Sequence, residues 1–150
     1  MTTIFDALID GRLPASFVHR DERCVAFMDI NPITRGHVLV VPRQSVPTLD
    51  ELDDATRAHL WEVARRIAAA QRAGLDSKAQ HFLLNDGKAA SQTVPHVHIH
   101  VIPRYGSDTL RTVGRMIWHV STLMIRRPET QARRERLDAL AARIAAAMAG

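Results

Sequence analysis

A chain of 150 residues with 46% hydrophobic and 24% charged residues and a net charge of +4 has the size and balance of one globular domain with a real core. No apolar run is long enough to cross a bilayer, and the start, Met1-Thr2-Thr3-Ile4-Phe5-Asp6, lacks the basic and apolar regions of a secretory leader. With a single cysteine, Cys24, an intramolecular disulfide is excluded and a reducing, cytoplasmic setting is expected.

In chain order, Ile4–Asp10 reads as a short helix stopped by Gly11. Strands are predicted at Ser16–His19 and Cys24–Met28, split by the polar turn Arg20-Asp21-Glu22-Arg23. The loop Asn31–Gly36 leads into a third strand, His37–Val41, which Pro42 ends. Thr48-Leu49-Asp50-Glu51 matches a capping box for a short helical turn. A long helix is predicted from about Asp54 to Ala73, closing at Gly74, with Leu60, Val63, Ala64, Ile67 and Gln71 on its buried stripe. Two further strands are Gln80–Leu84 and the histidine-bearing run that ends at Ile102. Gly106–Arg127 shows no clear period. A last helix, about Glu129 to Met148, carries Leu137, Leu140, Ala141, Ile144 and Met148 at helical spacing. Short turns between strands predict an α+β fold, an antiparallel five-stranded sheet with one long helix and a C-terminal helix, within a single domain over residues 1–150.

The charge is uneven along this order. Residues 1–105 carry 12 basic and 12 acidic groups, whereas residues 106–150 carry 8 and 4. A basic tail could meet nucleic acid or the phosphates of a ligand, but its arginines are interleaved with Glu135 and Asp138, which favours a solvated helix face.

The run Val94-Pro95-His96-Val97-His98-Ile99-His100-Val101-Ile102 places three of the eight histidines at every second position. In a strand, side chains alternate, so His96, His98 and His100 would share one face with neighbouring rings roughly 6.5–7 Å apart, and Val97, Ile99 and Val101 would pack behind them. Metal ligands converge at about 2 Å, so all three cannot hold one ion, although two could with help from elsewhere. Catalysis and metal binding both remain open on this run alone.

The pattern His96-Val97-His98-Ile99-His100-Val101-Ile102 resembles the signature of the histidine-triad family of nucleotide hydrolases and transferases. Ile4-Phe5, Leu13-Pro14, Arg23–Ile30, Gly36-His37, Asn85 and Gln92-Thr93 also fall where its Hint branch would place equivalents, so the resemblance covers residues 4–105. Gln92-Thr93-Val94, the ending Val101-Ile102-Pro103-Arg104 and the long tail look more like the Fhit and bacterial diadenosine polyphosphate hydrolase branch. The resemblance implies a homodimer whose sheets join, and a purine nucleotide hydrolase acting on dinucleoside polyphosphates or nucleoside phosphoramidates. It implies His98 as the nucleophile at the α-phosphorus, with a covalent nucleotidyl-histidine. His96, His100 and His37 would brace phosphate oxygens, Thr93 would meet the leaving group, and Asn85 and Gln92 would hold the phosphate. Asp29 would accept the ribose hydroxyls. Phe5, Leu13, Phe27 and Ile30 would form the base slot or, alternatively, be plain core.

Some relatives bind structural zinc through Cys-x-x-Cys and a further histidine. The corresponding positions here are Thr3, Asp6 and Ser45, so no metal and no tightly bound cofactor is expected, beyond Mg²⁺ accompanying a polyphosphate substrate. Ser91 stands where the family commonly has glycine. Cys24 reads as an inert strand residue, and His59 and His81 as surface or satisfied structural residues. Arg111, Arg115, Trp118 and His119 are candidates for contacting distal phosphates or a second base. The competing classes are a nucleotide-binding regulatory dimer with little turnover and a metal-binding module.

Overall fold

The computed structural model describes residues 2–106, 109–122 and 130–150, with the side chains at 118–122 outside that description. Helix α1 (Ile4–Ile9) leads to strands β1 (Phe17–Arg20), β2 (Cys24–Met28) and β3 (Val38–Pro42). Helix α2 (Asp54–Leu75), strand β4 (Ala79–Leu83), strand β5 (Ile99–Arg104), and helices α3 (Thr109–Thr122) and α4 (Gln131–Ala149) follow. The strands form one antiparallel sheet in the order β1-β2-β3-β5-β4, the α+β architecture that the sequence predicts. No described helix is long and apolar enough to cross a membrane.

Alternation along the central strands sorts the core into two layers. Ala26, Met28, Val38, Val40, Ile99 and Val101 pack with Leu60, Val63, Ala64 and Ile67 of α2 and with Leu137, Ala141 and Ile144 of α4. Val25, Phe27, Leu39 and Val41 point to the other face, where Phe5 of α1 covers them. Fully burying one such aliphatic side chain contributes about 1.5–3 kcal/mol, so the helical layer carries most of the stability. The thinner layer under α1 is left for the histidines.

Helix α2 begins where Asp53 caps it, accepting the Thr56 N–H at 2.9 Å. It does not stop at Gly74. It runs to Leu75 and ends at Asp76, which takes the left-handed conformation at φ 60°. Gly74 serves a different purpose: a Cβ there would lie 3.1 Å from the Arg143 carbonyl and 3.3 Å from the Ala147 Cβ, so its bareness lets α2 and α4 approach. Gln71, on the buried stripe, is a fully buried amide whose Nε2 donates to the carbonyls of Gly36 (3.0 Å) and Val101 (3.1 Å). It ties the start of β3 to the middle of β5.

Three further expectations change. Thr48–Glu51 is a short 3-10 turn over Leu49–Glu51, and the Thr48 hydroxyl bonds the Glu51 carboxylate at 2.8 Å rather than the backbone. The segment without clear period contains α3. Leu110, Val113 and Ile117 of this helix are exposed, so these three do not mark a core face. The histidine run is not one strand, because β5 begins only at Ile99. Pro95 cannot donate to a ladder, His96 N–H turns back to the Val94 carbonyl at 2.8 Å, and Val97 N–H bonds Val46 outside the sheet at 2.9 Å.

Candidate active site

The site is built where β5 runs beside β3. Leu39 lies opposite His100 in the ladder, so the His100 ring rises on the face carrying Phe27 and Phe5, away from the long helices. His37, just before β3, places its Nε2 2.9 Å from His100 Nδ1. Its Nδ1 accepts the Ile33 backbone N–H at 3.2 Å. In the neutral ring this puts the proton on His37 Nε2, which donates to His100 Nδ1, so His100 carries its own proton on Nε2.

His98 has the opposite polarity. Its Nδ1 lies 2.8 Å from the His96 carbonyl, and a carbonyl only accepts. Nδ1 therefore bears the proton, and Nε2 holds a lone pair. The His98 and His100 ring centroids are 4.9 Å apart, and those of His100 and His37 are 5.1 Å apart. A lone pair and an N–H donor thus stand side by side.

The row of rings is His98, His100 and His37, which corrects the expected row of His96, His98 and His100. Pro95 breaks the strand geometry on which the even 6.5–7 Å spacing depended. His96 is fully buried. Its Nε2 donates to the Pro42 carbonyl at 2.8 Å, and its Nδ1 meets the hydroxyls of Thr3 (3.0 Å) and Ser45 (3.3 Å). With both nitrogens engaged, it stands behind the row rather than in it. Phe5 packs edge-on against both His96 and His98, at 5.7 and 5.1 Å.

Thr3, Asp6, Ser45 and His96 form one hydrogen-bonded cluster. Asp6 Oδ2 accepts the Thr3 backbone N–H (2.6 Å) and lies 2.9 and 3.0 Å from the Thr3 and Ser45 hydroxyls, whose two protons are shared between this carboxylate and His96 Nδ1. Burial works to raise the Asp6 carboxyl, but these bonds outweigh it and hold it below the ordinary carboxylate range. Burial pushes the His96 imidazole below its ordinary value, against the opposing pull of the Pro42 carbonyl and Asp6. Zinc takes thiolate, imidazole and carboxylate donors. Two of these four groups are hydroxyls, so the cluster does not fit zinc.

Asp29, buried at the end of β2, accepts the Asn31 N–H through Oδ1 at 2.8 Å, and its Oδ2 lies 3.5 Å from His37 Nδ1. The carboxylate therefore abuts the row. Phe5 and Phe27 are buried and meet edge to face at 5.7 Å. Leu13 is half-buried and Ile30 exposed. Thr93 is exposed and Asn85 half-buried just beyond β4. The Gln92 amide spans its own loop, accepting from Gly87 N–H at 3.0 Å and donating to Pro47 at 2.7 Å. Ser91 beside it adopts the left-handed conformation at φ 65°, the kind of position that favours glycine.

Two features of the site lie outside the sequence reading. Gln71 anchors the chain beside both His37 and His100, and the loop behind Asp29 is clasped from the tail. Arg133 of α4 donates to the Ile30 carbonyl and to Asn31 Oδ1, the latter at 2.9 Å, and Arg115 of α3 donates to the Ile33 carbonyl at 3.2 Å. The excess of tail arginines was the only available signal. Arg111 is exposed, and the side chains of Trp118 and His119 lie outside the described residues.

Comparison with known proteins identifies the family and the fold. The HIT domain pattern matches residues 10–107. The chain belongs to the HIT family. It is 39% identical to an uncharacterized HIT-like protein of Mycobacterium tuberculosis, over 78% of this chain and 81% of the relative. A zinc-bound histidine triad family protein from Mycobacterium smegmatis has the same fold, with a TM-score of 0.77 at 34% identity, covering 99% of this chain and 94% of that one. Among HIT relatives with named activities are an adenylylsulfatase of Arabidopsis thaliana (34% identity; 71% of this chain, 54% of the relative) and a bis(5'-nucleosyl)-tetraphosphatase of Schizosaccharomyces pombe (37%; 60% and 50%). The family thus includes hydrolases of nucleotide derivatives.

Proposed function

We propose that this HIT protein is a hydrolase that cleaves purine nucleoside 5′-phosphate derivatives at the α-phosphorus and releases a nucleoside monophosphate. The observation that carries the reading is the opposed polarity of adjacent rings, with a lone pair on His98 Nε2 and a proton on His100 Nε2. The activities named for the Arabidopsis and fission yeast relatives support a substrate with an activated nucleotidyl phosphate, such as a dinucleoside polyphosphate or a nucleoside phosphoramidate.

His98 Nε2 forms a bond to phosphorus while the bond to the leaving group breaks, and the leaving group departs with the electron pair. Thr93 gives that group a hydrogen bond. His100 donates to a phosphate oxygen, with His37 behind it passing positive character along the row. Water then attacks phosphorus, the P–N bond breaks with its electrons returning to Nε2, and the water's proton leaves to solvent. Asp29 binds ribose, Asn85 lies by the phosphate, and Mg²⁺ travels with a polyphosphate substrate. The working unit is a homodimer, supported by the position of β4 at the end of the described sheet and the exposed Trp61, Phe82 and Leu83 beside it.

Rapid quench with a labelled diadenosine polyphosphate and an adenosine phosphoramidate tests this mechanism. Wild type should trap label on His98. His98→Ala should lose turnover by about a thousandfold or more and still bind AMP. Turnover that survives in His98→Ala would reject it.

A further inference from the structure

A second group of donors lies on the helical side of the sheet, apart from the row of rings. Asp21 sits in the β1–β2 turn. Its Oδ1 accepts the backbone N–H groups of Arg23 and Cys24, both at 2.8 Å. Its Oδ2 is thereby aimed inward, 2.7 Å from His19 Nε2, 2.7 Å from His59 Nε2 and 3.7 Å from Cys24 Sγ. His19 comes from β1, Cys24 opens β2, and His59 reaches over from α2. The four donor atoms all lie within 4.8 Å of one another.

We propose that His19, Asp21, Cys24 and His59 form a binding site for a divalent transition-metal ion of the zinc class. Two imidazoles, one thiolate and one carboxylate are the donor types such an ion takes tetrahedrally, at about 2.0–2.3 Å. At those bond lengths neighbouring donors stand about 3.3–3.8 Å apart, so small side-chain rotations suffice to admit the ion. The carboxylate is already oriented by two main-chain donors, as outer-shell contacts orient metal ligands elsewhere. The side chains of His19, Asp21 and His59 are 18%, 27% and 32% exposed, which leaves an entry route, while the sulfur lies beneath them.

On binding, the thiol proton goes to solvent and each imidazole proton moves from Nε2 to Nδ1. One thiolate and one carboxylate then neutralise the dication. Burial, followed by the charge of Asp21, pushes the Cys24 thiol up to about 12. The sulfur is therefore inert as a nucleophile and becomes a thiolate only against a metal. These four residues do not include Thr3, Asp6 or Ser45, on which the expectation of a metal-free protein rested. The ion would clamp the β1–β2 turn to α2 and leave the hydrolytic row untouched.

Cobalt(II) titration of the full chain after chelator treatment tests the site. Cys24 is the only cysteine, so any thiolate-to-cobalt charge-transfer band reports this sulfur and no other. The expected result is such a band saturating at one ion per chain, competed away by zinc. His59→Gln keeps a hydrogen-bonding group on a half-exposed helix position and should fold. It should weaken cobalt binding by about tenfold or more and lose the rise in melting temperature that zinc gives wild type. Absence of the band in folded wild type overturns the proposal, as does equal cobalt affinity in His59→Gln.

Discussion

Asp29 accepts the Asn31 N–H through one oxygen and faces the His37 ring with the other. Binding ribose would use the lone pairs those contacts leave. Asp29→Ala is expected to weaken AMP by about 1–3 kcal/mol and 2′-deoxy-AMP by less, as measured by calorimetry. Equal losses would make the residue a loop anchor. The residue types of this site were readable in the sequence, but their partners were not. His98 and His100 stand in the row as the period-of-two reading expected, whereas His96 turned inward because Pro95 removed the strand on which the reading relied. Gln71 passed for one member of an apolar stripe, since spacing reveals a face and is silent about an amide buried within it.

The elements were legible where burial gave a simple signal. Strands β2 and β3 are buried along their whole length, and their continuous apolar runs located them to within a residue. Helix α3 was missed although Leu110, Val113 and Ile117 recur at helical spacing, and these three side chains are exposed, Leu110 at 92%. A helical period locates a helix, and whether its apolar side meets a core is a separate matter that only packing decides. Gly74 misled for a related reason: it resembles a helix stop, yet its missing side chain serves helix contact. The loop before the histidine run supplies a prediction at this scale. Ser91 lies in the left-handed region, which costs an L-residue about 1–2 kcal/mol. Ser91→Gly relieves that strain while making the unfolded chain freer, for a net gain of up to about 1 kcal/mol. Ser91→Val should destabilise. Urea unfolding of both variants checks the sign, and a loss in Ser91→Gly would mean the hydroxyl itself holds the loop.

At the scale of the molecule, the buried His96 links stability to acidity. Its folded imidazole titrates below the ordinary value of 6.5. Well above that value neither state is protonated. As pH falls through it, the unfolded chain takes a proton that the folded chain resists, so stability drops until the folded ring also titrates. Denaturant midpoints should therefore fall between about pH 7.5 and about pH 5.5, with a flatter slope in His96→Gln. Identical slopes would place the acid limb elsewhere. The contact from the Ile33 N–H to His37 Nδ1 reaches further than one ring. Asp29, His37 and His100 are close enough together to suggest a cation cradle, but a main-chain hydrogen already caps the lone pair an ion would need. That same hydrogen places the His37 proton on Nε2 and, through it, the His100 proton on the outer Nε2, while His98 keeps the opposite polarity. One amide of a connecting loop thus decides which nitrogen carries the proton in two successive rings.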